Sequence, residues 1–221
     1  MKTISFTTNV SERIENAIRN SMKTYLSRLD NGFYEIGLED TFKMHIGSII
    51  SAELELSTIC PGERFIVMFE KNMPINNNND YVDIVIKYQA STTVELYPIE
   101  LKFKKSTDLA PDLGNIQSYI DIYNLDAHKA NTPNVKDCYY IFMTDYETYT
   151  KPASRGTTRQ ELPMNDGYKI QKNTPYTVSG KSAKDNTKKY PSGFTFHNDY
   201  CIEYETSSIN GTPYWYYILK I

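Results

Sequence analysis

The chain has no apolar run long enough to cross a membrane, and its first residues, MKTISFTTNVSER, contain no apolar signal core. No membrane partner is expected, and a cytoplasmic setting fits. Cysteine is scarce. Cys60, Cys138 and Cys201 are odd in number, lie far apart and form no CxxC pair. A disulfide framework and a thiolate zinc cluster are therefore not expected, and a reducing compartment is. The three histidines, His45, His128 and His197, do not cluster by spacing, so each is expected to be structural. No Ser/His/Asp or Cys/His arrangement stands out, and none of the ten glycines belongs to a phosphate-cradling loop. No internal repeat occurs.

What the chain does have is length, tyrosine and an uneven charge. Its 221 residues, 40% of them hydrophobic, are enough for one domain with a substantial core. Nineteen tyrosines supply many part-buried positions with a polar tip. Residues 151–190 carry nine basic side chains against three acidic ones, whereas residues 1–150 carry 14 against 21. A basic block on an acidic body is either a polyanion contact or a solvated lysine-rich loop.

Ser11 to Leu29 reads as an amphipathic helix, with Ile14, Ala17, Ile18, Met22, Tyr25, Leu26 and Leu29 on one face and Ser11 as N-cap. Asp30-Asn31-Gly32 ends it. A second helix is expected from Leu38 to about Leu54. Phe42, Ile46 and Ile49 set its apolar stripe, and the next position on that stripe is Glu53. A carboxylate there is costly to bury, which marks Glu53 as a candidate functional acid. Arg64 to Glu70 reads as a strand, and Asn76 to Asp80 as a loop. Asp112 to His128 reads as a third helix, with Leu113, Ile116, Ile120, Tyr123 and Ala127 apolar and Gln117, Asp121, Asn124 and His128 polar. Asp108 or Asp112 is the expected cap. Asp137 to Glu147 reads as a buried strand.

From Tyr149 to Gly193 periodicity vanishes, over a length that suggests a functional or mobile segment. Strand-like segments close the chain, and Asn210-Gly211 signals a terminal hairpin. The expected class is α/β, a central mixed sheet flanked by helices with a long basic loop region and a C-terminal β-hairpin. The expected organisation is a single domain over 1–221. It comprises an N-terminal helical part (1–37), a core (38–147), the basic loop (148–193) and C-terminal strands (194–221).

Tyr81 to Lys105 is the centre of the functional reading. It predicts two strands joined by a turn near Gln89 to Thr93. Val82, Ile84 and Ile86 alternate with Asp83, Val85 and Lys87, and Ile99, Leu101 and Phe103 alternate with Glu100, Lys102 and Lys104. Glu100 and Lys102 share a face. If the strands pair, Asp83 can join them, and such a set is costly unless it holds something, for which a divalent cation is the candidate. Pro98 within the second strand predicts an edge position or a bulge just before Glu100.

Asp83, the Glu100-Leu101-Lys102 triplet and the preceding Glu53 resemble the PD-(D/E)XK, or restriction-endonuclease-like, nuclease superfamily over Leu38 to about Glu147. Val82-Asp83 stands where the family's Pro-Asp pair would, and Gln117 falls where some members carry a glutamine on the following helix. Four residues on, Asp121 stands where that motif has tyrosine. The resemblance implies a restriction-endonuclease-like core. It implies catalytic roles for Asp83, Glu100, Lys102, Glu53 and Gln117, with Mg²⁺ (or Mn²⁺ in its place) held by Asp83, Glu100, the Leu101 carbonyl and Glu53. The implied activity is metal-dependent phosphodiester hydrolysis in DNA, of restriction or defence type, by a homodimer on duplex substrate. Lys104, Lys105, Arg155, Arg159, Lys181, Lys184, Lys188 and Lys189 are the expected phosphate contacts, with Tyr168, Tyr176 and Tyr190 available for stacking. The alternative is a non-catalytic nucleic-acid or protein-binding module on the same scaffold.

Overall fold

The computed structural model describes residues 8–75, 79–108, 110–153, 158–178 and 193–221. Two helices lead, α1 (Val10–Asp30) and α2 (Glu39–Leu56). Strands β1 (Glu63–Asn72), β2 (Tyr81–Ala90) and β3 (Thr93–Lys104) follow, then α3 (Pro111–Asn131) and β4 (Tyr139–Thr144). After a short helix, α4 (Thr158–Glu161), come β5 (Lys169–Ile170), β6 (Tyr176–Thr177), β7 (Gly193–Phe194), β8 (Tyr200–Cys201), β9 (Glu205–Ile209) and β10 (Thr212–Lys220). The chain is α/β. Its main sheet runs β1-β2-β3-β4-β10-β9, with two small sheets, β5 with β8 and β6 with β7. No helix among the described residues is long and apolar enough to cross a membrane. Where the sequence suggests one domain, the backbone divides into two compact units, Met1–Ile99 with Pro133–Asp137, and Glu100–Thr132 with Cys138–Ile221. The division falls inside β3.

In the first unit, the predicted apolar stripe of α1 is buried from Ile14 to Leu29. The helix starts earlier than expected because Asn9, not Ser11, caps it, its side-chain oxygen accepting from the Glu12 amide at 3.3 Å. Ser11 lies within the first turn, its hydroxyl 3.3 Å from that of Tyr97. In α2 the buried residues are Phe42, Ile46, Gly47, Ile49, Ile50 and Leu54. A methyl group at Gly47 would meet the Phe69 ring at 2.4 Å and Ile84 at 3.1 Å, so only glycine allows α2 this close to β1 and β2.

β1 and β2 pair antiparallel from Glu63↔Ala90 to Asn72↔Tyr81. The predicted β2–β3 hairpin forms with its turn at Ser91 and Thr92, and its ladder runs unbroken from Ala90↔Thr93 to Ile84↔Ile99. Pro98 therefore causes neither of the expected irregularities: it stands opposite Val85 in regular register, inside a non-edge strand. Leu96 explains why. Its amide donates to Asn134 and its carbonyl accepts from Lys136, so even-numbered residues of β3 point their backbone groups away from β2. Pro98 lies on that same side and forfeits no bond to β2 by lacking an N–H.

Arg13 on α1 and Glu63 on β1 make a bidentate pair at 2.7 and 3.0 Å, with side chains 4% and 1% exposed. The Ile59 and Cys60 amides also donate to Glu63. The bond from Arg13, against the opposing effect of burial and aided by those amides, lowers the Glu63 pKa from 4.5 to about 2. A depressed carboxyl contributes stability above its unfolded pKa and loses it as pH falls toward its folded one. Glu63→Gln should therefore cost about 3–5 kcal/mol at pH 7, because it strands a buried guanidinium. Urea unfolding at stepped pH should show the gap to wild type narrowing between about 4.5 and about 2.

In the second unit, Pro111 opens α3 and Ala110 is its cap, without a side-chain bond. The expected caps are used elsewhere: Asp108 accepts from the Lys105 amide at 2.9 Å and Asp112 from the Arg159 amide at 3.1 Å. Ile116, Tyr119, Ile122 and Leu125 form the buried face of α3, joined by Asn115, Ser118, Asp126 and His128. Leu113, Ile120 and Tyr123, expected in the core, are only half-buried. β4 is buried throughout and pairs with β10, which pairs with β9 through Asn210 and Gly211 at φ 50° and 80°. Those angles are what the Asn-Gly signal requires.

The described parts of the long aperiodic stretch are folded. Tyr176, Phe194 and Phe196 pack within 6 Å of the Tyr119 ring on α3. Asp126, fully buried, accepts from the His197 amide at 2.9 Å, from His197 Nδ1 at 2.6 Å and from the Tyr200 hydroxyl.

Candidate functional site

Asp83 belongs to the first unit and Glu100 and Lys102 to the second, so their surroundings are taken unit by unit. Asp83 lies on β2 with its side chain 16% exposed. Lys43 Nζ, on the first turns of α2, is 3.3 Å from Asp83 Oδ1 and 3.3 Å from Asp40 Oδ1, and it also donates to Glu70. Burial disfavours this ammonium, but the Glu70 bond and the Asp83 charge outweigh it and raise its pKa above the ordinary lysine value. Phe69↔Ile84 and Lys71↔Val82 bracket Glu70, so the register sets Glu70 opposite Asp83. Glu70 has φ 49°, a left-handed conformation that costs a non-glycine residue on the order of 1–3 kcal/mol. Lys43 and Glu70 were not legible as site residues, since neither breaks its local pattern.

Glu53 is corrected by the structure. The buried stripe of α2 passes through Leu54, which turns Glu53 toward α1. There, half-buried, it lines a cleft of about 280 Å³ with Thr24, Arg28, Tyr34, Ser48 and Ile49. Lys43 and Glu53 are ten residues apart, which is about 15 Å along the helix axis. Lys43 is the α2 residue that meets Asp83, and Asp40 stands beside Lys43.

In the second unit Glu100 is 8% exposed and Leu101 fully buried on β3. Lys102 Nζ is 3.2 Å from Asp121 Oδ2, and Lys104 Nζ donates to Gln117 Oε1 at 3.0 Å. Both partners come from the polar face of α3. Lys105 lies over the Phe103 ring at 5.7 Å.

Of the other expected phosphate contacts, Arg155, Lys181, Lys184, Lys188 and Lys189 fall outside the described residues, as does Tyr190. The Arg159 guanidinium is engaged by the carbonyls of Thr148 and Lys151. Tyr176 is buried against Tyr119 and Phe196, which removes it as a stacking platform. Burial, then the Tyr176 hydroxyl, push the half-buried Tyr168 up to about 12. His45 stacks on Tyr34 at 3.8 Å, and His128 is buried with Nδ1 3.2 Å from Thr132 Oγ1. Among the described residues, no group of three or more His, Cys, Asp or Glu side chains is placed to hold a metal ion. No protein-family model, curated protein or solved structure matches the chain.

The Lys43 cluster makes a direct prediction. Lys43→Met should lower stability by about 1–3 kcal/mol, because it removes the ammonium that the part-buried Asp83 carboxylate faces at 3.3 Å. Lys43→Arg should retain most of that, and denaturant midpoints of the three proteins would decide it.

Proposed function

We propose that the chain is a Mg²⁺-dependent deoxyribonuclease with a restriction-endonuclease-like core, an endonuclease of restriction or defence type. The observation that carries the reading is the Glu100-Leu101-Lys102 triplet on β3, a buried carboxylate followed two residues on by an ammonium held 3.2 Å from a helix carboxylate. Asp83, the other carboxylate of the resemblance, lies on β2. Carboxylate and carbonyl oxygens of the kind that Asp83, Glu100 and Leu101 carry suit a hard cation such as Mg²⁺, with Mn²⁺ as a substitute. Held by such oxygens, the cation would neutralise charge on the phosphodiester and acidify a water. Lys102 stabilises the negative charge that develops during attack. Gln117 acts through Lys104 in this reading, and Glu53 takes no part in it. Duplex DNA is the proposed substrate and a homodimer the proposed form. Lys104, Lys105 and the basic residues of 151–190 provide salt-sensitive phosphate contacts.

One observation favours a second reading, a non-catalytic binding module. Asp83 and Lys102 each face an opposite charge, Lys43 and Asp121, as ordinary structural pairs do.

A digestion panel of duplex, single-stranded and branched DNA with Mg²⁺ separates the two. Cleavage should occur with wild type and fall at least about 100-fold in Asp83→Ala, Glu100→Ala and Lys102→Ala, with circular dichroism unchanged. Full activity in Asp83→Ala would sink the nuclease reading. Calorimetric titration with Mn²⁺ should show binding in wild type that Asp83→Ala weakens.

A further inference from the structure

We propose that Asp121 is a positioning residue, holding the Lys102 ammonium in the orientation that phosphodiester attack requires; this rests on the nuclease reading. The geometry lies wholly within the second unit. Residues two apart on a strand are separated by about 6.6 Å, and residues four apart on a helix by about 6.0 Å. Lys102 and Lys104 on β3 therefore match Asp121 and Gln117 on α3, rung for rung and in opposite chain directions. Gln117 accepts from Lys104 at 3.0 Å, and Asp121 stands 3.2 Å from Lys102.

The two partners differ in what they can fix. A lysine side chain has four flexible carbons and a point charge with no preferred direction. An aspartate has a single carbon between its carboxylate and the backbone, and this backbone is a helix anchored by buried Tyr119 and Ile122. Asp121 also lies within electrostatic reach of Tyr217, a buried phenol on β10. The rigid partner therefore sets the position of the flexible one. The Lys102 and Asp121 side chains are 15% and 17% exposed, so the pair is sheltered but not sealed. Within this reading, an ammonium so placed needs little reorganisation when charge develops beside it.

Asp121→Asn and Asp121→Glu test this with two independent readouts. The first is the rate of reductive methylation at Lys102, followed by mass spectrometry in the full chain. It should rise several-fold in Asp121→Asn and stay near wild type in Asp121→Glu, as expected from the loss or retention of the paired charge. The second is Mg²⁺-dependent cleavage. Misplacing a catalytic group by about 1 Å costs up to about 100-fold, so Asp121→Asn should lose about 10- to 100-fold in kcat with KM nearly unchanged. Asp121→Glu should recover most of the rate. Unaltered methylation at Lys102, or unaltered kcat in Asp121→Asn, overturns the proposal. A loss in Asp121→Asn that Asp121→Glu does not rescue also overturns it, as a folding effect. If wild type cleaves nothing while methylation responds, the nuclease reading fails and Asp121 is left as a structural counter-ion only.

Discussion

Charge carried into a sheet must be met by charge from a helix, and three consecutive strands obey this constraint. Glu63 on β1 meets Arg13 of α1, Asp83 on β2 meets Lys43 of α2, and Lys102 on β3 meets Asp121 of α3. Each pair lies within one compact unit. An unpaired ion in such surroundings costs several kcal/mol, so the partners restrict how each helix can lie on its strands. Gly47 shows the restriction at work. It lets α2 approach Phe69 and Ile84 closely enough for Lys43, one turn earlier, to reach Asp83.

Local pattern was legible wherever local physics decides. The α1 stripe from Ile14 to Leu29, the alternation in β2 and β3, and the Asn210-Gly211 turn each depend on neighbours in sequence, and each was readable. Partners were not legible. Nothing in the sequence near Lys43 announces Asp83, and a helical wheel offers Asp121 to solvent as readily as to a strand. Glu53 illustrates the failure. The stripe Phe42, Ile46, Ile49 extrapolates to position 53, but Ile50 and Leu54 draw the buried arc one residue further round. Pro98 failed differently. Its missing N–H was readable, but which side of the strand it faced was set by Leu96 bonding to Asn134 and Lys136, more than 35 positions away in the chain.

The aromatic residues of the closing segment escaped a periodic reading for a related reason. Tyr176, within the basic stretch, and Phe194 and Phe196, after it, gather around Tyr119, so their common purpose exists only in three dimensions. Tyr176, which looked available for stacking on bases, serves instead to dock irregular backbone on α3.

The three strand–helix pairs are not equivalent, and their accessibility ranks them. Arg13 and Glu63 are 4% and 1% exposed and are further closed by the Ile59 and Cys60 amides, which suits a pair whose work is to hold α1 on β1. Lys43 with Asp83, at 11% and 16%, and Lys102 with Asp121, at 15% and 17%, are less completely closed. A closed pair can only stabilise. A part-open pair can exchange its partner when a stronger charge arrives, because the incoming ion need not be stripped of all its water first. Glu70, held left-handed opposite Asp83, adds local strain at one of the two open pairs. Strain of this kind persists only where surrounding structure over-determines it. Accessibility thus sets the Arg13–Glu63 pair apart from the two part-open ones, and strain further distinguishes the Asp83 pair from the Lys102 pair.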